Sequence, residues 1–299
     1  MTYPDGLSAF PITPTNEDGS IDLGALCELV LPLVEARVDS IGLLGSTGTY
    51  IYLSREERRR ATEAAVAISG GVPIIAGIGA LRTDDAVRLA QDARAAGASA
   101  GLLAPVSYTP LTDEEVFEHF STVARESGLP ICIYDNPGTT HFTFSPELLG
   151  RLSRIEGIVA VKSPAPGAAE IRAHHFALKT VVRNGCSLGY SGDWNSAEGL
   201  IAGASSWYSV IGGLFPITCL AIVRAAHRNE AGEVRRLNAH LEPIWSLFKE
   251  FSSLRVVYTI AELNRAIHAK PPRPILPLSP PARAKVETVL AGLPADLLR

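Results

Sequence analysis

Lys162 stands directly behind the apolar run Ile158-Val159-Ala160-Val161, and no other lysine precedes Arg172. Ser163, Pro164, Pro166 and Gly167 then turn the chain aside. The run reads as a buried strand, where an unpaired ammonium is costly. Two chemistries resolve the conflict. Either the amine is half of an internal ion pair, or it works as a nucleophile. Burial disfavours an ammonium, and a free amine attacks a ketone to form an imine. A protonated imine withdraws electrons and makes a carbanion accessible at the next carbon. A tyrosine can relay the proton. Small hydroxyls and the N–H groups of a glycine turn can hold a carboxylate.

Residues of these types close several other apolar runs. They are Gly45-Ser46-Thr47-Gly48, Pro105-Val106-Ser107-Tyr108, Tyr134-Asp135-Asn136-Pro137, Gly192-Asp193 and the stretch from Ser209 to Gly213. Each also has a plainer reading. Tyr134 could be a core ring with a satisfied hydroxyl, and Gly45–Gly48 a strand-to-helix turn. Asp193 could cap a helix running through Asn195 to Ala202. Metal chemistry finds no support. Histidines 119, 141, 174, 175, 227, 240 and 268 are dispersed, and adjacent His174 and His175 lack the three- or four-residue step that two ligands on one helix face need. Cysteines 27, 132, 186 and 219 form no Cys-x-x-Cys pair and read as small core residues of a reducing compartment.

The elements that must position this set follow a steady rhythm. Apolar runs begin at Gly6, Ser40, Pro73, Ala100, Pro130, Ile158, Thr180 and Ser205, roughly 22 to 35 residues apart. Helical patterns lie between them. One starts at Asp22. Two others open on the capping pairs Ser54/Glu57 and Thr112/Glu115, the second ending at Gly128, and a fourth runs from Thr83 to Gly97. Alternation of this kind implies parallel strands with right-handed crossovers. Eight units imply an α/β fold, a closed (β/α)8 TIM barrel. The alternative is an open doubly wound sheet. Its dinucleotide form needs Gly-x-Gly-x-x-Gly, and Gly77-Ile78-Gly79-Ala80-Leu81-Arg82 lacks the third glycine. Barrel enzymes work at the C-terminal ends of their strands, which is where the chemical residues fall. After Phe215 the pattern is helical, interrupted by the proline-rich connector that starts at Lys270, with a last helix from Pro281 toward Ala291. The expected division is 1–222 for the barrel and its site, and 223–299 for a C-terminal helical extension packed on its outside.

Bulk properties narrow the classes. The 299 residues are 46% hydrophobic and 19% charged, enough for a sizeable core. With 27 basic and 31 acidic residues the net charge is -4, which argues against a nucleic-acid partner. Arg58-Arg59-Arg60 behind Glu56-Glu57 reads as a solvated helix face. Gly199 to Val223 is uncharged and long enough to span a bilayer. Its Ser205-Ser206, Gly212-Gly213 and Pro216 fit a strand, a loop and a helix start better, so no membrane span is expected. The N-terminal stretch has neither a basic start nor a long apolar run, so a cytoplasmic protein without a signal peptide is expected.

Four motifs occur in order: GSTGTY from Gly45, YDNPGTT from Tyr134, VAVKSP from Val159 and SGDW from Ser191. With them the chain, from SAFPITPTNEDGSID onward, resembles the dihydrodipicolinate synthase and N-acetylneuraminate lyase family of pyruvate-dependent lyases and aldolases. The resemblance implies the barrel with its helical extension, no metal or organic cofactor, and a homo-oligomer, usually a tetramer. It implies Lys162 as the imine-forming residue and Tyr134 as proton shuttle. Ser46 and Thr47 match the hydroxyl pair that links the shuttle and holds the 2-oxo acid's carboxylate. Gly48, Thr139, Gly192, Asp193 and Tyr208 complete the expected substrate-binding set with Thr47.

Three positions depart from the family pattern. Thr49 stands where a glutamate is usual. Thr139 stands where the synthases carry an arginine that grips the aldehyde's carboxylate, and a hydroxyl cannot replace a bidentate guanidinium. The tyrosine those enzymes lend to a neighbouring subunit aligns with Ser107, with Tyr108 one residue later. The expected activity is that of a carbon–carbon or carbon–oxygen lyase forming a Schiff base with pyruvate or another 2-oxo acid, with a sugar-derived or aldehyde second substrate. The alternatives are the synthase of lysine biosynthesis and a non-catalytic 2-oxo-acid sensor. Retention of both Lys162 and Tyr134 argues against the sensor.

Overall fold

A computed structural model describes residues 3–265, 267 and 269–298; His268 of the histidine set lies outside the described residues. Eight strands form one closed, wholly parallel barrel in sequence order, with the last paired to the first. They are β1 (Gly6–Ala9), β2 (Ser40–Leu43), β3 (Ile74–Gly77), β4 (Ala100–Leu103), β5 (Ile131–Tyr134), β6 (Ile158–Pro164), β7 (Ser187–Ser191) and β8 (Ser206–Ser209). The crossovers carry α1 (Leu23–Ala36), α2 (Arg55–Ile68), α3 (Thr83–Ala96), α4 (Asp113–Ser127), α5 (Pro137–Thr140), α6 (Pro146–Leu152), α7 (Ile171–Val181) and α8 (Asp193–Ile201). The tail adds α9 (Pro216–His227), α10 (Ala231–Ala239), α11 (Glu242–Phe251), α12 (Ser253–Arg265) and α13 (Pro280–Gly292).

The helix starts follow local chemistry. Asp22 caps α1, and its carboxylate accepts from the N–H of Ala25 at 2.9 Å. Both expected capping boxes form, at Ser54/Glu57 and Thr112/Glu115. Gly97 and Gly128 end α3 and α4 in the left-handed conformation that glycine adopts without strain. The run read as a strand from Thr180 proves to be two elements. Ile171, His175, Leu178 and Val182 keep a helical burial step, so α7 carries through Val181. The chain then turns at Gly185 (φ +85°), and β7 begins at Ser187. The charge-free stretch Gly199–Val223 divides among α8, β8, a 3-10 turn (Ile211–Gly213) and α9. Among the described residues no helix is long and apolar enough to cross a membrane.

The arginine triplet also departs from expectation. Arg59 is partly exposed and pairs with Glu56 and Glu63, but Arg58 is only 6% exposed. Residues 222 and 223 lie inside α9 and are both buried. A single apolar core joins Leu7, Ile41 and Leu43 of the barrel to Trp245, Val256 and Ile260 of the tail. The tail also reaches a strand-end loop. Tyr258 on α12 donates to the carbonyl of Thr13 at 3.0 Å, and the Thr13 hydroxyl donates to the carbonyl of Gly48 at 2.8 Å.

Candidate active site

Strand parity decides which side chains enter the barrel. On β6, Val161 packs outward with the helices, so Ala160 and Lys162 face the interior; a register irregularity between Ile158 and Ala160 lets Ile158 pack outward as well. Tyr134 is the register partner of Lys162 on β5 and shares its parity. Lys162 Nζ sits 4.0 Å from the Tyr134 ring centroid, 3.9 Å from that of Phe10 and 5.6 Å from that of Tyr208. Two glycines make room for this cage. A Cβ at Gly42 would lie 2.2 Å from the Phe10 ring, and one at Gly189 would lie 2.6 Å from the Tyr208 ring.

Lys162 is 4% exposed, and no carboxylate lies within ion-pair distance of it among the described residues. The ion-pair reading therefore fails. The aromatic faces can stabilise an ammonium, but they supply no counter-charge that would have to be broken before the amine reacts.

Above the amine lies a triangle of hydrogen bonds. The Tyr134 hydroxyl donates to Ser46 Oγ at 3.2 Å, and Asn136 Nδ2 reaches Tyr134 Oη at 2.9 Å and Ser46 Oγ at 3.3 Å. Asn136 was overlooked at the sequence level. Its signal was parity, since it stands two residues beyond Tyr134 in a quoted motif. Thr47 is buried beside Ser46, and the N–H groups of Thr47 and Gly48 have no partner among the described residues. A Cβ at Gly48 would lie 3.0 Å from the Leu44 backbone, so the turn is tightly folded. Thr139, exposed on α5, donates to the carbonyl of Asn136 at 3.3 Å and brings no charge. Gly192 (φ +87°) starts α8 beside the backbone of Ala165.

Three expected site residues are placed differently: Asp193 and Tyr108 stand outside the cage, and Tyr208 brings only its ring to it. Asp193 is 1% exposed, and its carboxylate is used up by four donors. These are the Trp207 indole (3.1 Å), Ser209 Oγ (3.3 Å) and the N–H groups of Val210 (3.2 Å) and Ile211 (2.8 Å). Burial raises its carboxyl to about 6 against the pull of these bonds. It ties the β8 loop to the first residue of α8; the N-cap of that helix is Gly192, and no side chain caps it, so Asp193 does not play the capping role either. Tyr208 turns its hydroxyl away from the mouth, donating to Tyr3 Oη at 3.2 Å with Cys132 Sγ at 3.6 Å. Tyr108 is 97% exposed and Ser107 donates locally to the carbonyl of Thr109, so neither meets this chain's own site.

A buried amine in an aromatic cage, a tyrosine–serine–asparagine triangle and free N–H groups on a glycine turn, all at one end of a parallel barrel, mark a lyase site of the carbonyl type. Residues 3–292 match the dihydrodipicolinate synthetase family. The chain belongs to this family and is a carbon–carbon lyase. It is 34% identical to the 4-hydroxy-tetrahydrodipicolinate synthase of Alcanivorax borkumensis over 93% of this chain and 94% of that one. It is 32% identical to the enzyme of the same name from Methanothrix thermoacetophila, over 94% of each. Among solved structures it resembles a dihydrodipicolinate synthase from Agrobacterium tumefaciens, at 52% identity and TM-score 0.94, covering 97% and 98% of the two chains. A dihydrodipicolinate synthase from Aquifex aeolicus matches at 27% identity and TM-score 0.90, covering 99% of each.

Proposed function

We propose that Lys162 forms an imine with the ketone of pyruvate or a related 2-oxo acid, and that the enamine derived from it adds to, or is released from, an aldehyde. The observation that carries this is the uncompensated amine of Lys162 in its aromatic cage, beneath the Tyr134–Ser46–Asn136 triangle. Amine addition to the ketone expels one water. The carboxylate rests on the Thr47 and Gly48 N–H groups and the Ser46 and Thr47 hydroxyls. Tyr134 takes the proton from the methyl carbon, and Asn136 holds its hydroxyl in line. Hydrolysis of the imine returns the amine. A sensor would need neither the nucleophile nor the hydroxyl triangle. The chemistry-bearing part is 1–222, with 223–299 as its support, in a cytoplasmic enzyme with no nucleic-acid or membrane partner.

The aldehyde partner follows from Thr139. With no guanidinium there, condensation of pyruvate with aspartate semialdehyde should be slower than in an arginine-bearing synthase by roughly 30- to 5000-fold, the equivalent of ~2–5 kcal/mol. Steady-state turnover on the order of 10 per second would sink that choice of substrate. It would favour instead the reading that the relatives' name supports, a 4-hydroxy-tetrahydrodipicolinate synthase. The imine itself is tested by incubating the protein with pyruvate and borohydride and mapping the adduct by mass spectrometry. The label should sit on Lys162 and vanish in Lys162→Ala. Trapping that survives in that variant would end the assignment.

A further inference from the structure

The glycine turn assigned to the 2-oxo acid's carboxylate has a backbone that its own residues resist. Leu44 (φ +56°) and Thr49 (φ +52°) flank Gly45–Gly48. Both take the left-handed conformation that side chains avoid, β-branched ones above all. Such a conformation persists only where its surroundings over-determine it. Inside the turn the Thr49 N–H donates to the carbonyl of Ser46 at 3.1 Å. That bond leaves Gly48 itself, the residue with the most conformational freedom, to be fixed from outside.

The outside group belongs to the C-terminal tail and acts in two steps. The Thr13 hydroxyl donates to the carbonyl of Gly48 at 2.8 Å, and the Tyr258 hydroxyl of α12 donates to the carbonyl of Thr13 at 3.0 Å. Thr13, Thr49 and Tyr258 are all buried. The Thr49 hydroxyl, enclosed and without a hydrogen-bond partner among the described residues, stands next to that of Tyr258. Tyr258 lies 245 residues from Thr13 along the chain. It is a firm reference point, because Val256, Val257 and Ile260 of α12 share one apolar core with Leu7, Ile41 and Leu43 of the barrel. A second tail contact grips the same loop, where the Thr15 hydroxyl donates to the carbonyl of Lys270 at 3.3 Å. Both steps end on carbonyl oxygens, so they pass no proton onward; they orient peptides.

We propose that Thr13 and Tyr258 are positioning residues for the carboxylate of the 2-oxo acid, and that through them the C-terminal tail sets the affinity for that acid. This rests on the imine reading of the site. Backbone N–H groups hold an anion well only when they are fixed in advance. With the Gly48 carbonyl drawn back onto Thr13, the N–H groups of Thr47 and Gly48 stay presented together. Without that bond the Gly48–Thr49 peptide can turn over, which brings the negative end of its dipole toward the carboxylate. The loss therefore falls on binding of the acid's charge. Lys162 and the Tyr134–Ser46–Asn136 triangle make no hydrogen bond to Thr13 or Tyr258 and keep their arrangement.

The test compares pyruvate with methyl pyruvate, which keeps the ketone and lacks the charge. Borohydride trapping on the full chain, read by mass spectrometry, gives the half-saturating concentration of each. Tyr258→Phe keeps the ring and removes the donor. Thr13→Val keeps the shape and removes the hydroxyl, and Thr13→Ser restores it. In Tyr258→Phe and in Thr13→Val the half-saturating concentration of pyruvate should rise about 5- to 50-fold, with trapping at saturation within about threefold of the parent. Labelling by methyl pyruvate should stay within about twofold. Thr13→Ser should return pyruvate to within about threefold of the parent. A merely structural role would lower labelling by both compounds together. Should Tyr258→Phe fail to fold, Thr13→Val carries the same comparison. Half-saturation by pyruvate within twofold of the parent, an equal loss for the ester, or no rescue by Thr13→Ser would each overturn the proposal. If the parent gives no adduct with pyruvate, the imine reading itself fails and takes the positioning role with it; a parent adduct with unaltered variants condemns the positioning role alone.

Discussion

Tyr134 makes its argument through a single oxygen. Replacing it by phenylalanine keeps the ring 4.0 Å from the amine and removes both hydrogen bonds of the hydroxyl. Steady-state turnover should fall roughly 100-fold or more, with slow adduct formation surviving, since the amine and its cage remain. Its neighbour Asp135 faces the other way and behaves differently. It is 6% exposed with one carboxylate oxygen unpartnered, and burial pushes its carboxyl up to about 7. An unfolded aspartate titrates near about 3.9. The native state therefore holds this proton more tightly, and the stability it contributes is full below about pH 4 and is lost as pH rises toward about 7. Asp135→Asn should flatten that part of a urea-denaturation series against pH. At pH 8 it should raise stability by about 1–3 kcal/mol, because a buried charge is replaced by a neutral amide. A variant less stable than the parent at pH 8 would contradict this.

At the scale of elements, the strand ends are held by groups that do no chemistry. Asp193 fastens the β8 loop to α8 through four donors, so Asp193→Ala would strand an indole, a hydroxyl and two N–H groups in a dry place. The expected loss is about 3 kcal/mol, seen as a melting temperature lower by about 5–10 °C, with Lys162 still trapped by pyruvate and borohydride. Such anchors explain where the sequence was readable. Period-two and helical spacings, glycine stops and capping pairs are local, and they placed seven of the eight strands and the lysine. What escaped was set by distant neighbours. The end of α7 looked like a strand because Thr180, Val181 and Val182 are three β-branched residues in a row. Arg58 looked solvated because only the fold brings Tyr50 and Gly79 around it. Asp193 and Tyr208 have polar groups near strand ends, but their orientation depends on Trp207, Ser209 and Tyr3, which pattern alone does not place.

For the whole molecule, the barrel mouth carries an apolar rim on one side. Ile51 (43% exposed), Tyr52 (47%), Leu81 (65%) and Tyr108 (97%) come from the three successive loops after β2, β3 and β4. Exposed apolar side chains on neighbouring loops at one end of the barrel are what a partner copy would cover. Sedimentation at micromolar concentration should show a dimer or tetramer, and Leu81→Glu should shift it toward the 31.8 kDa monomer. A parent chain that sediments only as a monomer would contradict the assembly.

The chain has only five lysines, at 162, 179, 249, 270 and 285, and its other cationic side chains apart from histidine are arginines. A guanidinium stays protonated and forms no imine under conditions where an amine does. An aldehyde drifting over the barrel's first 161 residues therefore meets no side-chain amine at all until it enters the mouth. Scarcity acts here as a filter: reactive carbonyl compounds have few places on this surface to lodge by accident. A carbonyl-bearing probe small enough to pass the rim should mark this protein at one inner nitrogen in preference to its coat, which makes the molecule a ready target for selective covalent capture.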